Sequence, residues 1–136
     1  MRKSIFITAV ALVLTSCSSR IPTDFTQMAV LPSVCPDYAD VTVPSNIAPL
    51  NFRIDCPGDE FVTRFSAEGV EVTLKGKKTD MPLKQWSALT GSGADIRVEV
   101  FAREKDGWKA YKPFQIHTAE PIDQYISYRL IPPSAV

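Results

Sequence analysis

The chain has 136 residues, 15 basic and 15 acidic side chains, one histidine and a formal net charge of zero. Nothing in that balance recruits nucleic acid, which needs a clustered basic face; the only basic knot is Lys75-Gly76-Lys77-Lys78, and a turn is the bland reading of it. The length and the 45% hydrophobic content describe one ordinary domain with a real core.

Met1-Arg2-Lys3 is a short positive head, and Ile5 to Leu14 run as Ile-Phe-Ile-Thr-Ala-Val-Ala-Leu-Val-Leu. As a helix that run is about 15 Å long, against a hydrocarbon core of about 30 Å, so it is too short to span. A basic head and a short apolar run form the layout of an export signal. The run closes on Leu14-Thr15-Ser16-Cys17 rather than on a small-x-small cleavage site. This tetrad resembles the lipobox of bacterial lipoproteins. The resemblance implies cleavage before Cys17, acylation of Cys17 with palmitate-like chains, and membrane attachment without a spanning helix. Each acyl chain buries methylenes at ~0.8 kcal/mol apiece. Ser18 stands where an aspartate would favour retention at the inner membrane, which points to the outer membrane facing the periplasm. The alternative is a plain signal peptide in which the cysteine has no role. Removing residues 1–16 takes Arg2 and Lys3 and leaves 13 basic and 15 acidic residues.

With Cys17 assigned to lipid, Cys35 and Cys56 remain, an even pair in an oxidising compartment. A bridge between them would close a loop of about 22 residues and be worth roughly 3 kcal/mol. Two free thiols are the alternative. Neither cysteine belongs to a CxxC pair, so no zinc knuckle or thioredoxin-like site is expected.

Residues 17–46 hold Pro22, Pro32, Pro36 and Pro44 and read as a tether and extended lead, some of it packed on the domain. From residue 47 the apolar period becomes two. Leu50, Phe52 and Ile54 alternate with Asn51 and Arg53. Phe61, Thr63 and Phe65 alternate with Val62 and Arg64, and Val70, Val72 and Leu74 with Glu71 and Thr73. Ile96, Val98, Val100 and Ala102 alternate with Arg97, Glu99, Phe101 and Arg103. Trp108 and Ala110 lead into Phe114 and Ile116, and Ile126, Tyr128 and Leu130 close the series. Such alternation predicts strands with one face on a core. Turn signals separate them, the strongest being Asp106-Gly107.

"TDMPLKQWSALTG" breaks the pattern and predicts a helix of two to three turns. Thr79 or Asp80 is its candidate N-cap, Pro82 lies early in it, and Gly91 is its stop. It reads as a crossover between two sheets. The expected fold is all-β: an antiparallel immunoglobulin-like or fibronectin-III-like β-sandwich over residues 47–133, with one short helix and a tail at 134–136.

"PDYADVTVPSNIAPLNFRI", "LKQWSALTG", "IRVEVFAREKDGWKAYKPFQI" and "EPIDQYISYRLIPP" resemble the N-terminal region of TolB-like β-propeller lipoproteins. In that family a small β-domain precedes a propeller, and some members carry a c-type haem motif. No CxxCH occurs in these 136 residues. Neither the haem site nor the propeller's binding surface is therefore carried over, and no cofactor is expected. The resemblance implies a shortened N-terminal domain of such a protein.

Chemistry-bearing residues are few. His117, at the end of a strand pattern, is the one histidine, so neither a Ser-His-Asp triad nor a multi-histidine metal site is expected. Asp55, Asp59 and Glu60 surround a Pro-Gly turn and supply only part of a calcium shell; a solvated turn is the commoner meaning. Among Trp86, Trp108, Tyr111, Tyr125 and Tyr128, most should fill the core. Trp108 and Tyr111, beside a tight turn, are the candidate ligand surface for a glycan or protein partner. The functional expectation is a non-enzymatic, lipid-anchored envelope module with a protein partner. The alternative is a carbohydrate-binding accessory lipoprotein.

Overall fold

The computed structural model describes residues 20–125, 127 and 129. The chain is mostly β with one short helix. The alternating segments form β5 (Glu60–Ala67), β6 (Val70–Lys75), β7 (Ile96–Glu104), β8 (Gly107–Ala110) and β9 (Phe114–Ala119). Four shorter strands precede them: β1 (Phe25–Gln27), β2 (Val34–Cys35), β3 (Thr42–Pro44) and β4 (Arg53–Ile54). β6, β5 and β7 lie side by side in antiparallel pairs. The other edge of β7 is shared, with β8 along one half and β9 along the other.

β8 and β9 act as one long strand broken by a bulge. Phe101 faces Ala110 and Val98 faces Phe114, so Tyr111, Lys112 and Pro113 oppose only Glu99 and Val100. The Tyr111 amide still donates to the Val100 carbonyl, 3.0 Å away. The extra residue reverses the parity of everything beyond it. Trp108 and Ala110 therefore lie on one face of the sheet, and Phe114 and Ile116 lie on the other. Read without the bulge, the four appear to share a face.

The sheet is mixed rather than wholly antiparallel. β1 pairs with β8 in parallel, Phe25 opposite Trp108, and β3 pairs with β9 in parallel, Thr42 opposite His117. Between them Lys112 donates to Val30, and Asp40 donates to Gln115, at 2.8 Å each. The proline-bearing lead is thus an integral edge of the sheet from Phe25 onward. β1 and β3 line that edge because β8–β9 leaves a row of backbone groups that another strand satisfies.

The main core lies on one face, where Phe65, Ile96, Val98, Val100, Phe114 and Ile116 meet Phe52, Ile54, Trp86 and Leu89. The covering layer is α1 (Leu83–Thr90) with the β2–β4 ribbon, not a second large sheet. α1 joins β6 to β7 across β5 within one sheet, which corrects the expectation of a crossover between sheets. It buries Trp86, Leu89 and Thr90, spaced by three and four residues, while Leu83 at its start is 64% exposed. The Trp86 indole donates to the Ile47 carbonyl at 3.0 Å.

Pro82 occupies the N-cap, with no side-chain cap. Thr79 instead accepts from the Phe52 amide at 2.8 Å, and Asn51 accepts from the Met81 amide at 2.9 Å. The approach to the helix is therefore laced to the strand region beneath it. Gly91 follows the last helical residue, as expected of the stop, without the left-handed turn that a glycine cap commonly takes. Its backbone is right-handed, and a Cβ there would stand 2.9 Å from the Ser87 carbonyl oxygen.

The sheet has two distinct ends. β1, β5 and β8 start at one end, where the turns 57–59, 76–78 and 105–106 also lie. β9 and β3 finish at the other, with the Glu68-Gly69 turn and the loop 91–95. Ile122 is held at that far end by two hydrogen bonds with Asn46, at 2.7 and 3.0 Å.

Candidate functional site

The outer face of the sheet carries a second, smaller apolar cluster. Val62, Phe101 and Ala110 are buried there, with Ile21 and Trp108 packed against them. Val62 and Phe101 are cross-strand partners, as are Phe101 and Ala110. Both Val62 and Phe101 occupy positions that strict alternation assigns to water. An apolar side chain at a polar-phase position is the signal that this face is covered. β1 supplies the cover: Phe25, 41% exposed, meets Phe101 edge-on with ring centroids 5.4 Å apart.

Beside this cluster lies a cleft of about 540 Å³, with Ile21, Phe25, Phe101, Arg64, Glu99 and Arg97 in its lining. Arg64 forks onto Glu99 across the β5–β7 pair. Arg97, two residues along β7, reaches the other Glu99 oxygen at 3.4 Å. Glu99 is largely buried, and Arg97 is the exposed member. Two guanidiniums share one carboxylate, so the cleft carries an excess positive charge beside two phenyl rings. Gln27 closes one side. Its amide nitrogen donates to the Ala110 and Met28 carbonyls at 3.2 Å each, which holds β1 onto the start of the bulge. Arg64, Arg97 and Glu99 are unremarkable in sequence, because only the cross-strand register brings them together.

The two residues expected to form a ligand surface separate. Trp108 is half-buried on the outer face, at the rim of another cavity of about 430 Å³ shared with Arg20, Glu60, Lys75 and Lys77. Tyr111, only 8% exposed, belongs to the main core. Its phenol is pushed up to about 12, by burial first and by the neighbouring Cys56 thiol second. Tyr111 is thus mostly buried rather than exposed, although it also borders the cleft of about 540 Å³. The parity that puts Trp108 outward puts Tyr111 inward.

Cys35 and Cys56 are both free. Cys35 pairs with Arg53 on the ribbon, whereas Cys56 lies three residues beyond Arg53, outside the paired positions. At ~3.4 Å per residue that is about 10 Å along the strand, beyond the reach of a disulfide. Cys56 instead accepts from the Ser33 amide at 3.3 Å.

The remaining sequence candidates are engaged elsewhere. Asp55 is bonded to Arg53, and that guanidinium holds its carboxyl below the usual range. Glu60 is paired with Arg103 at 2.7 Å. His117 Nδ1 lies 2.9 Å from Asp95. Tyr125 is 87% exposed. Cys17, residues 1–16, Tyr128 and the closing strand expected over Ile126, Tyr128 and Leu130 lie outside the described residues. Among the described residues no helix is long and apolar enough to cross a membrane. No family model, curated protein or solved structure matches the chain.

Proposed function

We propose that this protein is a non-enzymatic interaction module of the bacterial cell envelope, held by an acyl anchor on Cys17, at the outer membrane facing the periplasm. The observation that carries the reading is the distance between the anchor and the fold. β1 opens at Phe25, so residues 18–24 are all that separates it from Cys17. Fully extended, seven residues reach about 25 Å. The domain is then held at the membrane rather than trailed from it, and its recognition surface is the cleft of Phe25, Phe101, Arg64 and Arg97. An exposed arginine beside aromatic rings suits an acidic, partly apolar segment of an envelope protein.

The anchor is tested by replacing Cys17 with serine and fractionating cells. The wild-type protein should partition into detergent and the variant into the aqueous phase; an unchanged partition would overturn the anchor. The cleft is tested by envelope crosslinking from its rim. A discrete adduct lost in Phe25→Ala and Arg97→Glu is expected, and an adduct indifferent to both would remove the cleft from the reading.

Kinship with the N-terminal domain of TolB-like propeller lipoproteins, and with immunoglobulin-like or fibronectin-III-like sandwiches, belongs to the same proposal. Its support is the set of similar segments and two antiparallel hairpins, β5–β6 and β7–β8, in one sheet. A reading frame that continues into a propeller would support it.

A second reading, glycan binding, rests on Trp108. The half-buried indole beside Glu60 and Lys77 offers a stacking face next to polar groups. Binding on a glycan array that disappears in Trp108→Ala would favour it, and no binding would remove it.

A further inference from the structure

The two ends of the sheet differ in charge. At the Phe25 end, three ion pairs neutralise one another: Arg53–Asp55, Arg103–Glu60 and Lys109–Asp106. Arg20, Lys75, Lys77, Lys78, Lys84 and Lys105 remain there without an ion-pair partner among the described residues, against Asp24, Asp59, Asp80 and Glu104. Lys75, Lys77 and Lys78 all stand exposed on the single turn that leaves β6. The far end is acidic. Glu68, Glu71, Asp95, Glu120 and Asp123 are exposed there. Arg97, toward that end of β7, is engaged with Glu99, and His117 Nδ1 lies 2.9 Å from Asp95.

Strand direction decides which end meets the membrane. β1 runs parallel to β8, so the residues before Phe25 enter at the basic end. The chain leaves β9 at the acidic end, and β8–β9 is about 40 Å long at ~3.4 Å for each of its residues. An anionic leaflet attracts the end that carries the tether and repels the opposite one.

We propose that the Phe25 end is a docking face for an anionic lipid surface. The turn Lys75-Gly76-Lys77-Lys78 rests among the headgroups, and the domain stands upright with residues 119–125 turned away. This deepens the anchored reading and rests on it for the tether.

The test supplies the tether artificially, so that it does not depend on acylation. The Cys17→Ser chain from residue 17, with an N-terminal hexahistidine, is bound to vesicles bearing a small fixed fraction of nickel-chelating lipid and a dansyl headgroup lipid. One set is phosphatidylcholine, and the other contains phosphatidylglycerol. Energy transfer from tryptophan to dansyl reports how closely the Phe25 end, with Trp108, approaches the surface. At ~0.02 M salt, transfer should be about twofold higher on the anionic vesicles, and at ~1 M salt it should fall to the neutral level. Lys77→Glu with Lys78→Glu should abolish the difference, whereas Lys112→Glu, midway along the sheet, should keep it.

Equal transfer on the two vesicle types overturns the proposal, as does indifference to salt. So does a loss as large in Lys112→Glu as in the turn variant. A Cys17→Ser protein that stays with the detergent in cells would remove the anchor and leave this result standing.

Discussion

Thr63 sits in the middle of β5, 1% exposed, and its hydroxyl has no hydrogen-bond partner among the described residues. A buried hydroxyl left unpaired costs about 1–3 kcal/mol. Thr63→Val keeps the β-branched shape and removes that cost. We expect it to raise stability by about 1 kcal/mol, read as a higher denaturant midpoint at unchanged slope. A lower midpoint would mean that the hydroxyl is satisfied. Tyr111 gives a second residue-scale expectation. Its phenol titrates near 12 when folded, against 10.0 ordinarily. Above pH 10 the unfolded chain gives up this proton while the folded protein keeps it, so its contribution is complete below that pH. It is lost progressively as pH rises through about 12. Tyr111→Phe should flatten the decline of stability over this window and remove the latest phase of phenolate absorbance. An unchanged decline would place the titrating group elsewhere. Neither residue's environment is legible in sequence. Thr63 reads correctly as a core-phase position, but its lack of a partner appears only once β6 and β7 flank it.

The bulge is the feature with most consequence among the elements. Because Tyr111, Lys112 and Pro113 oppose two residues of β7, deleting Lys112 restores a regular ladder and leaves Phe114 opposite Val98. Deleting Gln115 instead moves Ile116 from its place opposite Ile96 and turns it to the outer face. Loss of a buried isoleucine contact costs on the order of 2–5 kcal/mol. The Lys112 deletion should therefore retain a cooperative thermal transition and the Gln115 deletion should lose it; similar behaviour of the two would refute the assigned register. Period-two alternation made β5, β6, β7 and β9 legible, and Asp106-Gly107 made the turn before β8 legible. The helix was legible in Pro82 and Gly91 at its two ends, and Leu83 at its start points to water. The bulge left no comparable sign. Nothing in "AYKPF" states that parity changes within it, so the inward turn of Tyr111 does not show in the sequence.

For the molecule as a whole, the lead decides where the domain begins. β1 and β3 have no local partner, and parallel pairing with strands some 75 to 83 residues away leaves no short-range pattern to read. That is why residues 17–46 read as a tether and extended lead, with no strand pairing assigned within them. A chain beginning at residue 46 should expose the Phe101 and Val62 cluster and the bare edge of β8–β9. We expect such a chain to self-associate in size-exclusion chromatography and to lose its sharp unfolding transition. A stable monomer would show the lead to be dispensable. The same pairing imposes an order on biosynthesis. β1 emerges from a ribosome or a secretion channel about 80 residues ahead of its partner β8, and β9 follows later still. β1 must therefore wait, unzipped and open to passing chaperones, until about 80 further residues have followed it through.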